Sequence, residues 1–320
     1  MTKLQPNLAP PSLSVTDLAG LVYPLFSSEK LDGVRATLED GVLYSRKGIA
    51  LPEACQERFA PLLAKVDHKH IIDCEIYSHE ATFQEITSAI HGTKDIPIQL
   101  HVIDHVFKDE WYGKSHTIFA DRLTNLGNFV SEYDPQRKFI QPVRQTICLT
   151  EKDVMDCLDG VLGAAEHYGY TAEGLMLRGL RQLYKHGRST LKQKDFLKLK
   201  LWDTIDGIIT GFKPKSVLTE EAKSTITDTD AYGHAKRGHR IGDREYVDEI
   251  GSIEITANIG ARRVCFYAVF AKNSPDREKI TWANRESYFG KWCEIEFLPA
   301  GMKEEGLPRH PRIIRLRPDK

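Results

Sequence analysis

The sequence predicts an α+β chain of two domains, a sheet-rich domain with helices over residues 1–203 and a small β-barrel over 204–320. Three observations carry this. At 320 residues the chain is long enough for two separate cores. Up to about residue 200, strand-like runs are interleaved with amphipathic stretches of helical period. Beyond about residue 202 the texture becomes β-rich, and 205–212, 251–259, 263–270, 293–298 and 312–316 read as five strands. Five short strands in about a hundred residues predict a small barrel of the oligonucleotide-binding (OB-fold) kind.

Taken in order, residues 1–26 are rich in proline and serine and predict an irregular lead-in, with the apolar stretch 21–26 anchoring the loop that carries Lys30. Next comes Lys30-Leu31-Asp32-Gly33-Val34-Arg35. Val34, Ala36 and Leu38 alternate with polar residues, and Glu39-Asp40-Gly41 turns the chain into Val42-Leu43-Tyr44-Ser45-Arg46, a hairpin pattern. The hairpin places Lys30 at the start of one strand and Arg46 at the end of its partner, so both could face one pocket. Residues 71–77 read as a buried strand carrying Asp73 and Glu75, which are costly there unless paired or bound. Thr82-Phe83-Gln84-Glu85 is a capping box opening a short helix that stops near Gly92. A strand over 98–107 is interrupted by Asp104, and 115–129 has helical character. A clearer helix starts at Thr150, with Val154, Leu158, Leu162 and Ala165 on one face and Gly169 as its stop.

Residues 172–178 form a strand with Glu173 at its head, and 184–194 a basic loop containing Gly187-Arg188-Ser189. The run 196–201 alternates, so Lys198 and Lys200 share one face. Two lysines pointing inward need anions. Residues 213–250 are polar with little periodicity and predict a mobile basic loop.

Composition narrows the function classes. With 41% hydrophobic and 28% charged residues and no long apolar run, the chain is expected to be a soluble protein without a membrane partner. It begins without a secretory pattern, which makes the cytoplasm the expected location. Six scattered cysteines predict buried, reduced thiols rather than zinc sites or disulfides. His68 and His70 read as a water-facing loop. A net charge of −1 is neutral on nucleic acid, but basic residues cluster at Lys192/Lys194/Lys198/Lys200, at Lys236/Arg237/Arg240 and at Arg309/Arg312/Arg315/Arg317/Lys320. Such clusters can track phosphates.

A lysine can serve as a nucleophile toward phosphorus, although Lys-x-Asp-Gly alone also describes an exposed turn. Here six segments stand in a fixed order: Lys30-Leu31-Asp32-Gly33-Val34-Arg35, Ser45-Arg46-Lys47-Gly48, Asp73-Cys74-Glu75, Glu173-Gly174-Leu175-Met176, Leu197-Lys198-Leu199-Lys200 and Arg317-Pro318-Asp319-Lys320. The ordered set resembles the covalent nucleotidyltransferase superfamily, and within it the small phage-type ATP-dependent DNA ligases, over residues 21–320.

The resemblance implies an adenylation domain of nucleotidyltransferase, ATP-grasp-like fold followed by the OB-fold barrel. It implies that Lys30, next to Asp32, attacks the α-phosphate of ATP to give lysyl-AMP, and that AMP passes to the 5′-phosphate of a nick before the 3′-hydroxyl seals it. Glu29, Arg35 and Arg46 would contact the nucleotide, Arg46 and Arg188 the DNA phosphate, and Glu75 the ribose. Glu173, with Glu75 as a further candidate, would bind Mg²⁺, for which Mn²⁺ could substitute. Lys198 and Lys200 would neutralise the α-phosphate, and Arg317 and Lys320 would orient the β- and γ-phosphates in the first step. Lys236, Arg237 and Arg240 would meet DNA phosphates from the 213–250 loop, used as a clamp. Ile103 stands where the family usually stacks an aromatic residue on adenine, which loosens the nucleotide assignment.

The implied partner is nicked duplex DNA, in replication, repair or recombination in a bacterial or phage-infected cell, with the chain acting as a monomer. The nearest alternative is an mRNA-capping guanylyltransferase, which usually has an aromatic residue between the paired lysines where this chain has Leu199. A non-catalytic nucleic-acid-binding relative would be expected to have lost Lys30, Glu173 or Lys200.

Overall fold

The structure is a computed structural model that describes residues 4–10, 12–170, 172–200, 202–225, 242–298 and 307–320. It divides into two compact units, one ending at Lys200 and the other starting at residue 201. Among the described residues no helix is long and apolar enough to cross a membrane.

The first unit contains strands β1 (Asn7–Leu8), β2 (Leu25–Glu29), β3 (Val34–Glu39) and β4 (Val42–Ser45), helix α1 (Glu53–Leu63), β5 (His70–Tyr77), α2 (Phe83–Ile90) and β6 (Gln99–Phe107). These are followed by α3 (Lys108–Tyr112), α4 (Phe119–Tyr133), β7 (Ile140–Pro142), β8 (Thr146–Cys148), α5 (Glu151–Tyr168), β9 (Gly174–Gly179), β10 (Gly187–Arg188) and β11 (Phe196–Lys200). Two sheets form, one in the order β4-β3-β5-β6-β7 and one in the order β11-β9-β2-β8, while β1 pairs with β10. The core of the five-stranded sheet holds Ala36, Leu38, Leu43, Ile72, Ile76, Leu100 and Val102 under Phe59, Ile86 and Phe129 from the helices. These are the inward positions of alternating strands and amphipathic helices.

Local chemistry explains most boundaries. The β3–β4 turn has positive φ at Asp40 (52°) and Gly41 (73°), the geometry that suits the twist of a two-residue hairpin. The Thr82 hydroxyl accepts from Glu85 N while the Glu85 carboxylate accepts from Thr82 N, which starts α2. Thr150 starts α5 in the same way, and Gly169 ends it in the left-handed conformation.

Several expectations need correction. Leu162 is exposed, so α5 buries only Val154, Leu158 and Ala165 of the expected face. The helix expected over 115–129 begins instead at Phe119, because Ser115 Oγ and the backbone N–H groups of His116 and Thr117 donate to the Glu110 carboxylate. β6 runs on through Asp104, which two buried arginines satisfy, but the register with β5 shifts there, from Asp73 opposite Asp104 to Cys74 opposite Val102. His68 is exposed, but His70 lies buried on β5 with Nδ1 2.8 Å from His105 Nε2. All six cysteines are free thiols, yet Cys265 is exposed and Cys157 half-buried.

The second unit contains β12 (Asp203–Leu218), α6 (Glu220–Thr225), β13 (Arg244–Ile259), β14 (Arg262–Phe270), β15 (Trp292–Leu298) and β16 (Arg309–Leu316). The five strands close into a barrel in the order β12-β13-β14-β16-β15. Ile209, Ile253, Ile255, Phe266, Ile295 and Ile313 fill its interior from alternate positions. The flanks of the 213–250 stretch are not loop. β12 runs on to Leu218 and β13 starts at Arg244, pairing Lys215 with Val247 and Leu218 with Arg244. Register shifts on either side of Pro214 absorb the proline, which cannot donate to the ladder. Lys236, Arg237 and Arg240 lie outside the described residues.

Candidate active site

The site is built on three adjacent strands of the smaller sheet, β11, β9 and β2. Ser28 on β2 stands opposite Met176 on β9, which stands opposite Lys198 on β11. One step along, Lys30 N donates to Gly174 O (2.9 Å) and Lys200 pairs with Gly174. Strand alternation therefore presents Lys30, Met176, Lys198 and Lys200 on one face. Two glycines allow the close approach. At Gly174 φ is 123°, and a Cβ would lie 2.1 Å from Leu199 O. At Gly33 a Cβ would lie 2.4 Å from Ile76 O, so the turn after Lys30 passes directly over β5.

Lys30, Arg35, Arg46, Glu75, Arg188 and Lys198 line a cavity of about 230 Å³, with Ile103 and Met176 contributing apolar wall. Glu29 also lines it and receives a bond from the Tyr170 hydroxyl (3.5 Å); burial raises its carboxyl. Lys30 Nζ donates to the buried Glu173 carboxylate, and Lys200 Nζ is 3.5 Å from the same oxygen. Asp32 sits in the connection between β2 and β3, and like Glu173 and Lys200 it is not part of the cavity wall.

Electrostatics separates these groups. Burial, then the charges of Lys200, Lys30 and Arg188, pushes the Lys198 amine down to about 8. Burial pushes Glu75 up to about 7 despite the pull of Arg35 and Lys30. Arg35 is held in a two-pronged pair by Asp73, Nε to Oδ1 at 2.6 Å and Nη2 to Oδ2 at 2.8 Å. Tyr184 donates its hydroxyl to the same Asp73 (2.8 Å).

In the second unit Arg317 Nη1 donates to Asp206 Oδ1 at 3.0 Å and Lys320 Nζ to Asp206 Oδ2, while Arg317 also pairs with Asp319 (2.8 Å).

A hard divalent cation bound mainly through substrate phosphates needs only one or two protein carboxylates. Among the described residues no three His, Cys, Asp or Glu side chains gather as a metal site. Glu173, an oxygen donor beside the Lys30 amine, fits the role of a single carboxylate ligand to a phosphate-bound cation. Glu75 fits less well, because its burial favours the protonated form.

Sequence reasoning missed one network. Asp104 accepts from Arg122 Nε (2.8 Å) and Nη2 (3.1 Å) and from Arg178 Nη1 (2.6 Å), all buried. The Arg178 guanidinium lies 4.3 Å from the ring centres of both Phe119 and Phe196. The available signal was an arginine inside each of two otherwise apolar faces.

No protein-family model and no curated protein matches the sequence. Solved structures do. The structure named Pmar-Lig_Pre aligns with a TM-score of 0.71 at 16% identity, over 98% of this chain and 68% of that one. A Lig E DNA ligase aligns with a TM-score of 0.59 at 18% identity, over 93% and 94%. The Chlorella virus DNA ligase-adenylate aligns with a TM-score of 0.51 at 22% identity, over 99% of each chain. The chain thus has, along nearly its whole length, the fold of these DNA ligases.

Proposed function

We propose that the chain is an ATP-dependent DNA ligase of the small phage type, an adenylation domain joined to an OB-fold, sealing 5′-phosphate/3′-hydroxyl nicks in duplex DNA. The observation that carries this reading is Lys30, placed beside Glu173 on the face that also bears Lys198 and Lys200, at the edge of a cavity with cationic and apolar walls.

In the first step the Lys30 amine attacks the α-phosphorus of ATP, a P–N bond forms, and the bond to pyrophosphate breaks. The attacking amine must be neutral, so the Lys30 ammonium first gives up one proton, relayed by Glu173 to solvent, which leaves the carboxylate ionised. Lys198 and Lys200 stabilise charge building on the α-phosphate oxygens, which is most of what phosphoryl transfer asks of a protein. Mg²⁺, held by phosphate oxygens and Glu173, would add Lewis-acid stabilisation of that charge. Glu75 faces the ribose, and Ile103 with Met176 supplies aliphatic contact for the base. Arg317 and Lys320 act on the departing pyrophosphate. The 5′-phosphate of the nick, met by Arg46 and Arg188, then takes AMP from Lys30. Attack by the 3′-hydroxyl on that phosphate expels AMP and closes the strand.

Lys30, Glu173, Lys198 and Lys200 all come from one chain, which supports the reading of a monomer, working on DNA in the cytoplasm. The test is sealing of a 5′-phosphorylated nick with Mg²⁺ and either ATP, GTP or NAD⁺. Sealing with ATP alone is expected. Covalent label from GTP on Lys30 without sealing would transfer the chain to the capping class.

A further inference from the structure

The lead-in that reads as irregular in the sequence is tied to the strand carrying Arg188. β1 runs parallel to β10, with Asn7 opposite Gly187 and Leu8 opposite Arg188. Gly187 N donates to Gln5 O (3.4 Å) and Ser189 N to Leu8 O (2.8 Å). Between them, Arg188 Nη1 donates to Ala9 O at 2.8 Å. The anchors of this segment are buried: Asn7 is 1% and Ser189 2% exposed, and Ser189 Oγ donates to Asn7 Oδ1 (3.2 Å). Asn7 O also receives Arg35 Nη2 at 3.4 Å.

We propose that residues 5–10 form a positioning strap that aims the Arg188 guanidinium at the DNA phosphate. This rests on the ligase reading. The physical argument lies in the kind of acceptor. A carboxylate would hold Arg188 but cancel its charge, whereas a backbone carbonyl fixes one edge of the fork and leaves the full positive charge for an anion. A long side chain on a two-residue strand otherwise loses rotamer freedom when it binds, and prior fixation removes that cost. The strap therefore acts in the steps that use the nick rather than in the formation of lysyl-AMP.

The experiment compares full-length protein with Asn7→Ala, which keeps the strap backbone but removes the acceptor of Ser189 Oγ, and with a chain beginning at Pro10, which lacks the Ala9 carbonyl. Asn7→Ala is combined with Arg188→Ala, and each variant is assayed for self-adenylation and for sealing of a pre-adenylated nick. The chain beginning at Pro10 should lose sealing about tenfold, the size expected for one charge-assisted bond, and at least about fivefold more than it loses self-adenylation. Asn7→Ala should move the same way by about two- to threefold.

Asn7→Ala should not add to Arg188→Ala, because a strap that acts through Arg188 has nothing left to position. The shortened chain also lacks the Asn7 carbonyl that receives Arg35, so it is compared by the ratio of the two losses alone. Asn7→Ala losses that multiply with Arg188→Ala, or losses in either variant that strike both steps alike, would overturn the proposal. If the shortened chain fails to fold, the Asn7→Ala and Arg188→Ala cycle decides by the same criterion. Failure of the full-length protein to seal any nick would instead sink the ligase reading, and the strap with it.

Discussion

Lys30 and Glu173, separated by 143 positions, are ion-paired at the junction of β2 and β9. The same carboxylate oxygen lies 3.5 Å from Lys200 Nζ, so one buried anion serves two lysines. That arrangement keeps the two cations together, and on the proposed reading the phosphate oxygens of ATP would take the place of the carboxylate. Lys30→Ala should abolish covalent label from ATP. Glu173→Gln should keep the fold but slow label transfer by about a hundredfold, comparable to loss of one preorganised electrostatic contact. A Glu173→Gln enzyme labelled at the wild-type rate would remove the carboxylate from the mechanism.

Lys198 gives the reaction a pH signature. Its amine is held down to about 8, chiefly by burial. As pH rises through that value Lys198 loses its charge, and on the proposed mechanism self-adenylation should decline. Lys198→Arg stays charged and should move the decline to higher pH. Stability runs the other way. The unfolded lysine keeps its proton up to its ordinary value of 10.5, so between about 8 and 10.5 the unfolded state binds more protons and stability rises with pH. Denaturant midpoints measured across this window should rise for the wild type relative to Lys198→Met; parallel curves would show that Lys198 is not the group responsible.

What could be read in the sequence depended on whether the information was local. The hairpin turn at Asp40-Gly41, the caps at Thr82 and Thr150, the stop at Gly169 and the barrel strands each follow from a few adjacent residues. Lys30, Arg46, Glu75 and Lys198 were legible as a set because strand alternation and order along the chain place them, and they line one cavity. The start of α4 was not, because Glu110 captures residues 115–117 through contacts that no helical period encodes. The β12–β13 ribbon was missed for a related reason. An exposed two-stranded ribbon needs no apolar alternation, so its residues resemble loop. The partners of Asp104 lie 18 and 74 positions away, and only the tertiary fold brings them together.

That Asp104 network predicts a large cost on disruption. Asp104→Ala would leave the buried Arg122 and Arg178 guanidiniums without their shared anion, with Arg122 keeping only the carbonyls of Thr117 and Gln182. Removing one member of such a buried group typically costs about 3–5 kcal/mol. Urea unfolding should show a midpoint lowered accordingly with the slope unchanged. Since Ile103 precedes Asp104 and lines the cavity, affinity for ATP should weaken in the same variant. A stability change below about 1 kcal/mol would mean that the arginines find other acceptors, as exposed ion pairs commonly do.

The end of the chain offers a separation between steps. Arg317 and Lys320 converge on Asp206, and Arg317 N donates to Trp292 O at 2.8 Å, so the tail is fastened to the barrel. If its cations serve only the departing pyrophosphate, removing residues 317–320 should impair self-adenylation and spare sealing of a pre-adenylated nick, because no pyrophosphate leaves in the later steps. Asp206→Asn separates this from a structural role. The substitution removes the anion that holds both cations but keeps the cations themselves, so it should leave self-adenylation far closer to wild type than the deletion does. If instead both variants melt early and lose both steps in proportion, the tail contributes to the barrel alone.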